Sequence, residues 1–301
     1  MKEVQENKVI LGLMRLDQLT SEQLVTVLRG ALALGIHDFD ISDIYCNHDA
    51  EWKLGEALRL DPSLRSQMFI QTKCGIVREN GKTTMDLSRS HILEAVDASL
   101  KRMGLETIDC LLLHRVDIFM DAKEIGSAFN QLKKEGKVRH FGVSNMDMSM
   151  IEYLESGVSV PLEVDQLQCG LGQLSLISQC FNVNFPAQNP NLADGLFFGL
   201  KRKGMVLQCW SPYQIGFFEG SIFDRKRLPK LNEKLDELAL KYHSTPCGIA
   251  TAFLSMLGNN VQIITGSMNL AHIQEAVEGA KLVMSKEDWY DCYQASGNLL
   301  P

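Results

Sequence analysis

The first residues that could do chemistry are an aspartate and a tyrosine beside a short apolar run. Asp40 ends the stretch that begins at Gly35, and Tyr45 follows five residues later in a predicted loop. Neither a carboxylate nor a phenol adds much to an apolar core, because burying a polar group costs free energy unless it is hydrogen-bonded. The pair suits a catalytic site instead, provided that a cation and a cofactor lie nearby.

Two more apolar runs end in a side chain that could complete such a site. Lys73 ends the run 68–73, and His114 ends the run 108–114. An ammonium buried beside Tyr45 would favour loss of the phenol proton, and Asp40 could keep that ammonium charged and oriented. His114 could donate a hydrogen bond to a carbonyl oxygen. Together these groups suit protonation of a carbonyl oxygen while a cofactor delivers hydride to carbon, since no side chain can supply one.

Each of the four residues also has a purely structural interpretation. Asp40 and Lys73 could be ordinary strand-end charges, and Tyr45 could be a loop aromatic. His114 could be a core histidine with satisfied hydrogen bonds. Their joint occurrence at the ends of strands favours the catalytic interpretation.

The elements that carry these residues alternate between strand and helix. Apolar strand-like runs are each followed by a helical pattern, such as the one opened by the capping-box spacing of Thr20 and Gln23. Eight such units predict an α/β fold of the (β/α)8 TIM-barrel type, as a single domain over residues 1–301. The first strand is not followed by GxGxxG, which argues against a Rossmann fold. The long irregular segment 169–191 is predicted to be a functional loop or a local excursion.

The remaining strand ends supply groups that suit a nicotinamide cofactor. In barrels of this type the active site lies at the carboxyl ends of the strands. Trp210 offers a flat face for the nicotinamide ring, although it would serve equally well in a core. Ser144, Asn145 and Gln166 offer hydroxyl and amide partners for the carboxamide.

The chain resembles the aldo-keto reductase family from Val9 to Pro301. The family's catalytic tetrad is matched by Asp40, Tyr45, Lys73 and His114, and the block 136–145 (GKVRHFGVSN) resembles its most specific signature. Asp165-Gln166 and Trp210-Ser211-Pro212 are similar to later cofactor segments, and Leu113-His114-Arg115 is similar to bacterial reductases of the YdhF-like group. The resemblance implies an NADP-dependent oxidoreductase that acts on CH–OH groups, with Tyr45 as general acid and base. It also implies that Asp40 and Ser211 contact the cofactor.

The segment that would hold the adenosine phosphate departs from the family pattern. The family usually has a lysine and an arginine there, but this chain has Gly266, Ser267, Asn269 and His272. A neutral histidine cannot bind phosphate as an arginine fork does. The resemblance therefore implies NADPH with a weak grip on the 2′-phosphate, so that NADH is possible. Glu275 is placed to contact adenine.

Arg15, close after the first strand, has two interpretations: it could contact the cofactor or pair with a carboxylate of the protein.

The composition limits the partners. A net charge of −7 and an isoelectric point near 5.6 argue against nucleic acid or an anionic membrane as the main partner. The eight cysteines form no CxxC pair, no run approaches 18 apolar residues, and no leader-like segment opens the chain, which together predict a cytoplasmic protein. We expect a small carbonyl substrate. The resemblance favours a monomer, with the loop 185–190 as a possible contact.

Two other classes of function stay open. A nicotinamide-binding sensor or regulatory protein would keep the fold but turn over little. A metal-dependent barrel hydrolase would need bound zinc or manganese. His37, His48 and His140 lack the spacing and the neighbouring carboxylates of a metal site, so none is predicted.

Overall fold

A closed barrel of parallel strands forms the centre of the structure, a computed structural model that describes residues 8–183 and 195–300. The barrel has eight strands: β1 (Val9–Gly12), β2 (Asp38–Asp40), β3 (Phe69–Cys74), β6 (Ile108–Leu113), β7 (Val138–Ser144), β8 (Leu162–Gln168), β9 (Val206–Trp210) and β10 (Val261–Thr265). Around the barrel they follow the order β1-β10-β9-β8-β7-β6-β3-β2. The predicted (β/α)8 fold is therefore confirmed.

The strands are short and almost wholly buried, as expected when a parallel sheet is covered on both faces. Every residue of β6 is buried, and β10 is buried from end to end. The register places Asp40 beside Gln71, Lys73 beside Leu112, and Ser144 beside Gln166. This register brings the carboxyl ends of neighbouring strands to one level.

Helices follow the strands, and several begin at residues whose side chains cap the first helical turn. Thr20 and Gln23 form the predicted capping box, and Ser88, Asp121 and Ser285 accept hydrogen bonds from the first turns of their helices. The helices are α1 (Ser21–Ala33), α2 (Ala50–Leu60), α3 (Arg89–Met103), α4 (Ala122–Lys134), α5 (Met148–Glu155), α6 (Ser175–Phe181), α7 (Leu196–Lys203), α8 (Pro229–Lys241), α9 (Pro246–Ser255), α10 (Leu270–Lys281) and α11 (Lys286–Ala295).

An antiparallel hairpin, β4 (Ile76–Glu79) with β5 (Lys82–Met85), stands apart from the barrel and was not predicted. Its turn is formed by Asn80 and Gly81, which both have positive φ, 51° and 74°. An Asn-Gly pair is the strongest local signal for such a turn. The two strands are mostly exposed and lack the alternation of apolar and polar residues that normally flanks such a turn. The Asn-Gly pair is therefore the only hairpin signal in this stretch of sequence.

The segment 169–191 was predicted to be irregular, as a functional loop or a local excursion, and its described part differs from this in one helix, Ser175–Phe181. Gly170 and Gln173 form an isolated β-bridge, and α6 follows directly. Residues 184–194 lie outside the described residues, and with them the loop 185–190.

Contacts group the chain into two compact units. The first comprises Ile10–Gln166 and Gly266–Leu270, and the second comprises the described parts of Lys2–Val9, Leu167–Thr265 and Ala271–Pro301. The single domain over 1–301 therefore stays a prediction. Within the described ranges, no helix has both the length and the apolar character needed to cross a membrane.

Candidate active site

The backbone after β2 places Asp40 and Tyr45 close together. Tyr45 opens a short 3₁₀ segment, Tyr45–His48, in which Cys46, Asn47 and His48 all have positive φ. Consecutive non-glycine residues rarely adopt this conformation, and it often accompanies functional sites. Before this segment, the Tyr45 amide donates to the Ser42 carbonyl at 3.2 Å, and this turn lies between Asp40 and Tyr45.

Lys73 is the centre of the polar cluster. Its side chain has no exposed surface, and its Nζ donates to Asp40 Oδ2 at 2.6 Å, to the Ile41 carbonyl at 2.9 Å and to the Tyr45 hydroxyl at 3.1 Å. An ammonium has three hydrogens, and each of them has an acceptor here. The buried charge is thus both paired and fully hydrogen-bonded.

The second oxygen of Asp40 is also bonded. Oδ1 accepts from Gln71 Nε2 at 2.7 Å and from Gln166 Nε2 at 2.9 Å. Gln166 was predicted to bind a cofactor, but Gln71 was not singled out. Its position two residues before Lys73 places both side chains on one face of β3, which was the available signal.

The pKa of Tyr45 lies above its ordinary value, although Lys73 acts to lower it as expected from the sequence. Burial raises the pKa of the phenol most, the ammonium of Lys73 lowers it, and the carboxylate of Asp40 raises it again. Burial also acts to lower the pKa of Lys73, but the interactions of its ammonium with Asp40 and with the Tyr45 hydroxyl outweigh burial and raise that pKa overall. Tyr45 is therefore a protonated phenol beside a charged ammonium at neutral pH.

His114 faces the edge of the Tyr45 ring. The ring centroids are 5.9 Å apart at an interplanar angle of 81°. Burial, followed by the charges of Lys73, Arg115 and Arg78, holds the pKa of His114 well below its usual value. The imidazole is neutral at pH 7 and carries one N–H. Its Nδ1 lies 3.0 Å from the Ser42 hydroxyl, a contact that was not predicted.

The residues predicted to bind the carboxamide lie in the same network. Asn145, with φ of 57°, donates from Nδ2 to the Ser144 hydroxyl at 2.7 Å and to the His114 carbonyl at 3.2 Å. Ser144 donates to the Gln166 carbonyl at 2.8 Å. Hydrogen bonds therefore join the predicted carboxamide site directly to the predicted catalytic set.

Gly266 and Arg15 lie side by side at another strand end. A Cβ built on Gly266 would meet only Arg15 Nη1, at 3.8 Å, so the backbone there is open and next to a cation. Arg15 forms no ion pair with any residue in 8–183 or 195–300. Open backbone beside an unpaired guanidinium suits a phosphate, which favours the cofactor interpretation of Arg15. Ser267 accepts a hydrogen bond from the Asn269 amide.

The other predicted cofactor residues belong to the second compact unit. Trp210 ends β9 and contacts Phe217 and Phe218, with ring centroids 6.2 and 6.3 Å away. Ser211 follows with φ of 48°. Within the same unit, His272 and Glu275 lie on α10.

Glu275 has a neighbour within its own unit. Burial raises the pKa of the Cys247 thiol to about 11, and the carboxylate of Glu275 adds to this effect. The two side chains therefore lie close enough to interact.

Metal ligands are not grouped in the described residues. No set of three or more His, Cys, Asp and Glu side chains in 8–183 and 195–300 is arranged to hold a metal ion. His48 Nδ1 contacts the Asp43 carbonyl and His140 Nδ1 contacts Glu163. All eight cysteines are free thiols.

Comparisons with known proteins give one consistent result. A sequence model of the aldo/keto reductase family matches residues 8–296. Oxidoreductase YdhF of Escherichia coli (strain K12) is 30% identical over 301 residues, covering 96% of this chain and 93% of that protein. The NADH-specific methylglyoxal reductase of the same organism is 27% identical over 286 residues, covering 84% and 81%. An aldo/keto reductase from Klebsiella pneumoniae, solved with NADP and acetate, shares the fold with a TM-score of 0.73 at 20% identity, covering 95% and 90%.

Proposed function

Because this chain belongs to the aldo/keto reductase family, we propose that it reduces an aldehyde or ketone to the alcohol, or catalyses the reverse oxidation, with a nicotinamide cofactor. One observation carries the proposal: a fully buried ammonium, that of Lys73, bonds a carboxylate and a phenol at once. A merely structural lysine needs a counter-ion but no phenol. The phenol places a transferable proton beside a fixed positive charge.

Tyr45 is the proposed proton donor. Its oxygen accepts from the Lys73 ammonium, so its own hydrogen is free to point elsewhere. Transfer of that hydrogen to a carbonyl oxygen leaves a phenolate, which the ammonium stabilises most strongly in a buried site. Asp40 keeps the ammonium in place. In the oxidative direction Tyr45 accepts the alcohol proton.

His114 is proposed to position the carbonyl. Because it is neutral, one ring nitrogen can donate to the carbonyl oxygen without adding a second full charge beside Lys73. The donated bond also polarises the carbonyl towards the charge that develops on oxygen. The role of His114 is thus orientation and polarisation, while Tyr45 transfers the proton.

The first unit offers a fitting set of partners for a nicotinamide dinucleotide. When bound, that cofactor would supply the hydride. Ser144, Asn145 and Gln166 would hold the carboxamide, and Gly266 with Arg15 would hold a phosphate. For Trp210, Ser211, Ser267, His272 and Glu275, and for Asp40 as a cofactor contact, the role stays the prediction made from the sequence.

The proposed cofactor is NADPH, with NADH as a competitor. Between Gly266 and Glu275 the chain has no lysine or arginine to grip a 2′-phosphate. NADPH and NADH titrated side by side, by quenching of protein fluorescence, should give dissociation constants within about tenfold of each other, a difference of about 1.4 kcal/mol. A preference for NADPH of a thousandfold would show that another cation holds the phosphate.

The function is tested by replacing the proton donor. Tyr45→Phe removes only the hydroxyl, and it should abolish reduction of a panel of small aldehydes while cofactor binding persists. Tyr153→Phe is the matched control, since the Tyr153 hydroxyl bonds only the Met120 carbonyl at an exposed position. Unchanged turnover in Tyr45→Phe would refute the assignment. Cofactor binding by the native protein without turnover of any aldehyde would favour the sensor or regulatory alternative.

A further inference from the structure

A chain of hydrogen-bonding groups runs from a buried carboxyl to the imidazole proposed to hold the carbonyl. The Ser42 hydroxyl lies 3.2 Å from Asp43 Oδ1 and 3.0 Å from His114 Nδ1. Asp43 is 7% exposed and Ser42 is fully buried. None of the roles proposed above uses Asp43 or Ser42.

We propose that Asp43, acting through Ser42, sets which ring nitrogen of His114 carries the proton. Ser42 contacts Nδ1, so Nε2 is the ring nitrogen that can meet a substrate. The inference rests on the proposed function, because that function has His114 bond the carbonyl. Asp43 and Ser42 are positioning residues, since they act through His114.

The proton count gives two states. An ionised Asp43 can only accept, so the Ser42 hydroxyl donates to it and must accept from His114 Nδ1–H. Nε2 then carries a lone pair. A protonated Asp43 donates to Ser42, Ser42 donates to Nδ1, and the ring hydrogen resides on Nε2. The imidazole holds one hydrogen in both states, and the states differ by the one proton on Asp43.

The two states suit opposite directions of the reaction. A carbonyl oxygen can only accept, so it needs Nε2–H and the protonated form of Asp43. An alcohol hydroxyl can donate to the Nε2 lone pair, which the ionised form of Asp43 provides. The relay therefore couples pH to the direction that the site favours.

Asp43 titrates in the range where this coupling matters. Burial raises its pKa most, and the carboxylate of Glu51 adds to this, whereas the Ser42 hydroxyl and the guanidinium of Arg102 oppose them; the result is a pKa of about 7. The titratable and charged groups that face Asp43 come from several elements: Glu51 on α2, Arg102 on α3, Lys73 and Cys74 on β3, Tyr45 and His48 in the 3₁₀ segment, and His114 after β6.

Among these neighbours, Cys74 and His114 keep one protonation state through that range. Burial raises the pKa of the Cys74 thiol well above its usual value, so it stays neutral. The pKa of His114 lies well below its usual value, so the ring stays neutral too. His48 reaches Asp43 only at the backbone carbonyl.

The direct test reads the tautomer without any substrate. Long-range proton–nitrogen spectra of the whole protein with labelled histidine should show His114 as Nε2–H at about pH 5.5 and as Nδ1–H at about pH 8.5. Asp43→Asn, whose amide donates as the protonated acid does, should hold Nε2–H throughout. Ser42→Ala should remove the pH dependence. A single tautomer over the whole range in the native protein, or an unchanged switch in Ser42→Ala, would overturn the proposal.

The kinetic test separates this proposal from the proposed function. For the native protein, kcat/KM of aldehyde reduction should fall about tenfold for each pH unit above the inflection near pH 7, and Asp43→Asn should lose that inflection. Asp121→Asn, at the N-cap of α4, and His48→Gln are controls that should keep it. An inflection that persists in Asp43→Asn refutes the relay. A tautomer switch in a protein that reduces no aldehyde refutes the proposed function and leaves the relay standing.

Discussion

Replacing Asp40 should expose how much the buried ammonium depends on its counter-ion. Asp40→Asn keeps the shape of the side chain but removes the charge 2.6 Å from Lys73 Nζ, which has no exposed surface. Leaving one charge of a buried pair uncompensated typically costs about 3–5 kcal/mol. We expect a loss of that order in the free energy of unfolding, measured by urea denaturation with far-UV circular dichroism at pH 7.

A second replacement tests whether the unpaired charge is the cause. In Asp40→Asn/Lys73→Met neither charge of the buried pair remains, so the double variant should be more stable than Asp40→Asn alone. Asp236→Asn is the control, because Asp236 pairs with Arg225 at an exposed site and such pairs contribute less than about 1 kcal/mol. A double variant that is less stable than Asp40→Asn would refute the reasoning.

The pH dependence of Asp40→Asn gives an independent check. In the native protein the pKa of Lys73 is raised above its value in the unfolded chain. The contribution of Lys73 to stability is therefore complete below the unfolded-state pKa, and it is lost only as the pH rises through the folded-state pKa. Without the Asp40 carboxylate, burial outweighs the remaining interactions of the Lys73 ammonium. Burial should then lower the pKa of Lys73 below its value in the unfolded chain. The variant should then gain stability relative to the native protein as the pH rises from 7 towards 10. A deficit that is constant over this range would contradict the explanation.

Three further predictions concern other parts of the chain. Although burial acts to raise the pKa of Asp288, hydrogen bonds from Tyr242, Lys241 and Ser285 lower that pKa to about 2. The ionised carboxylate therefore stabilises the fold above its unfolded pKa, and this stability is lost as the pH falls from about 4 to 2. Asp288→Asn should remove this acid-dependent loss in the free energy of unfolding, measured by urea denaturation at a series of pH values. Gly142→Ala should destabilise the barrel by about 1–3 kcal/mol, because a Cβ there would lie 2.6 Å from the Val164 carbonyl oxygen, and an unchanged thermal midpoint would contradict this packing. His272→Arg should tighten NADPH binding about tenfold or more while leaving NADH unchanged, and equal changes for both in a fluorescence titration would show that position 272 does not face the 2′-phosphate.

The sequence was sufficient to place Asp40, Lys73 and His114 within one residue of a strand end and to predict the helix start at Thr20. Apolar runs locate Asp40, Lys73 and His114, and Thr20 marks a helix start by its own hydrogen-bonding chemistry. These features depend on a few adjacent residues, so they can be read locally. The same holds for the turn at Asn80-Gly81, where the dipeptide itself is the local signal.

The partners within the site could not be predicted in the same way. Gln71 bonds Asp40 because the register of β2 and β3 puts them side by side, and register is a property of two strands. Ser42 meets His114 across 72 positions of sequence. Lys73 lowers the pKa of Tyr45 as the sequence analysis expects, but burial raises that pKa more, and the extent of burial is known only once the chain is folded.

The bond from Gln166 to Asp40 bears on the order in which the site can form. It joins residues 126 positions apart, on strands β8 and β2, between which β7, β6 and β3 lie in the barrel. Contacts so distant in sequence form late, because the long intervening segment must first be ordered. During synthesis, Lys73 leaves the ribosome long before the residue that completes the bonding of its counter-ion. A nascent chain that stops before β8 therefore carries all four residues of the proposed catalytic set, but Asp40 still lacks its last donor.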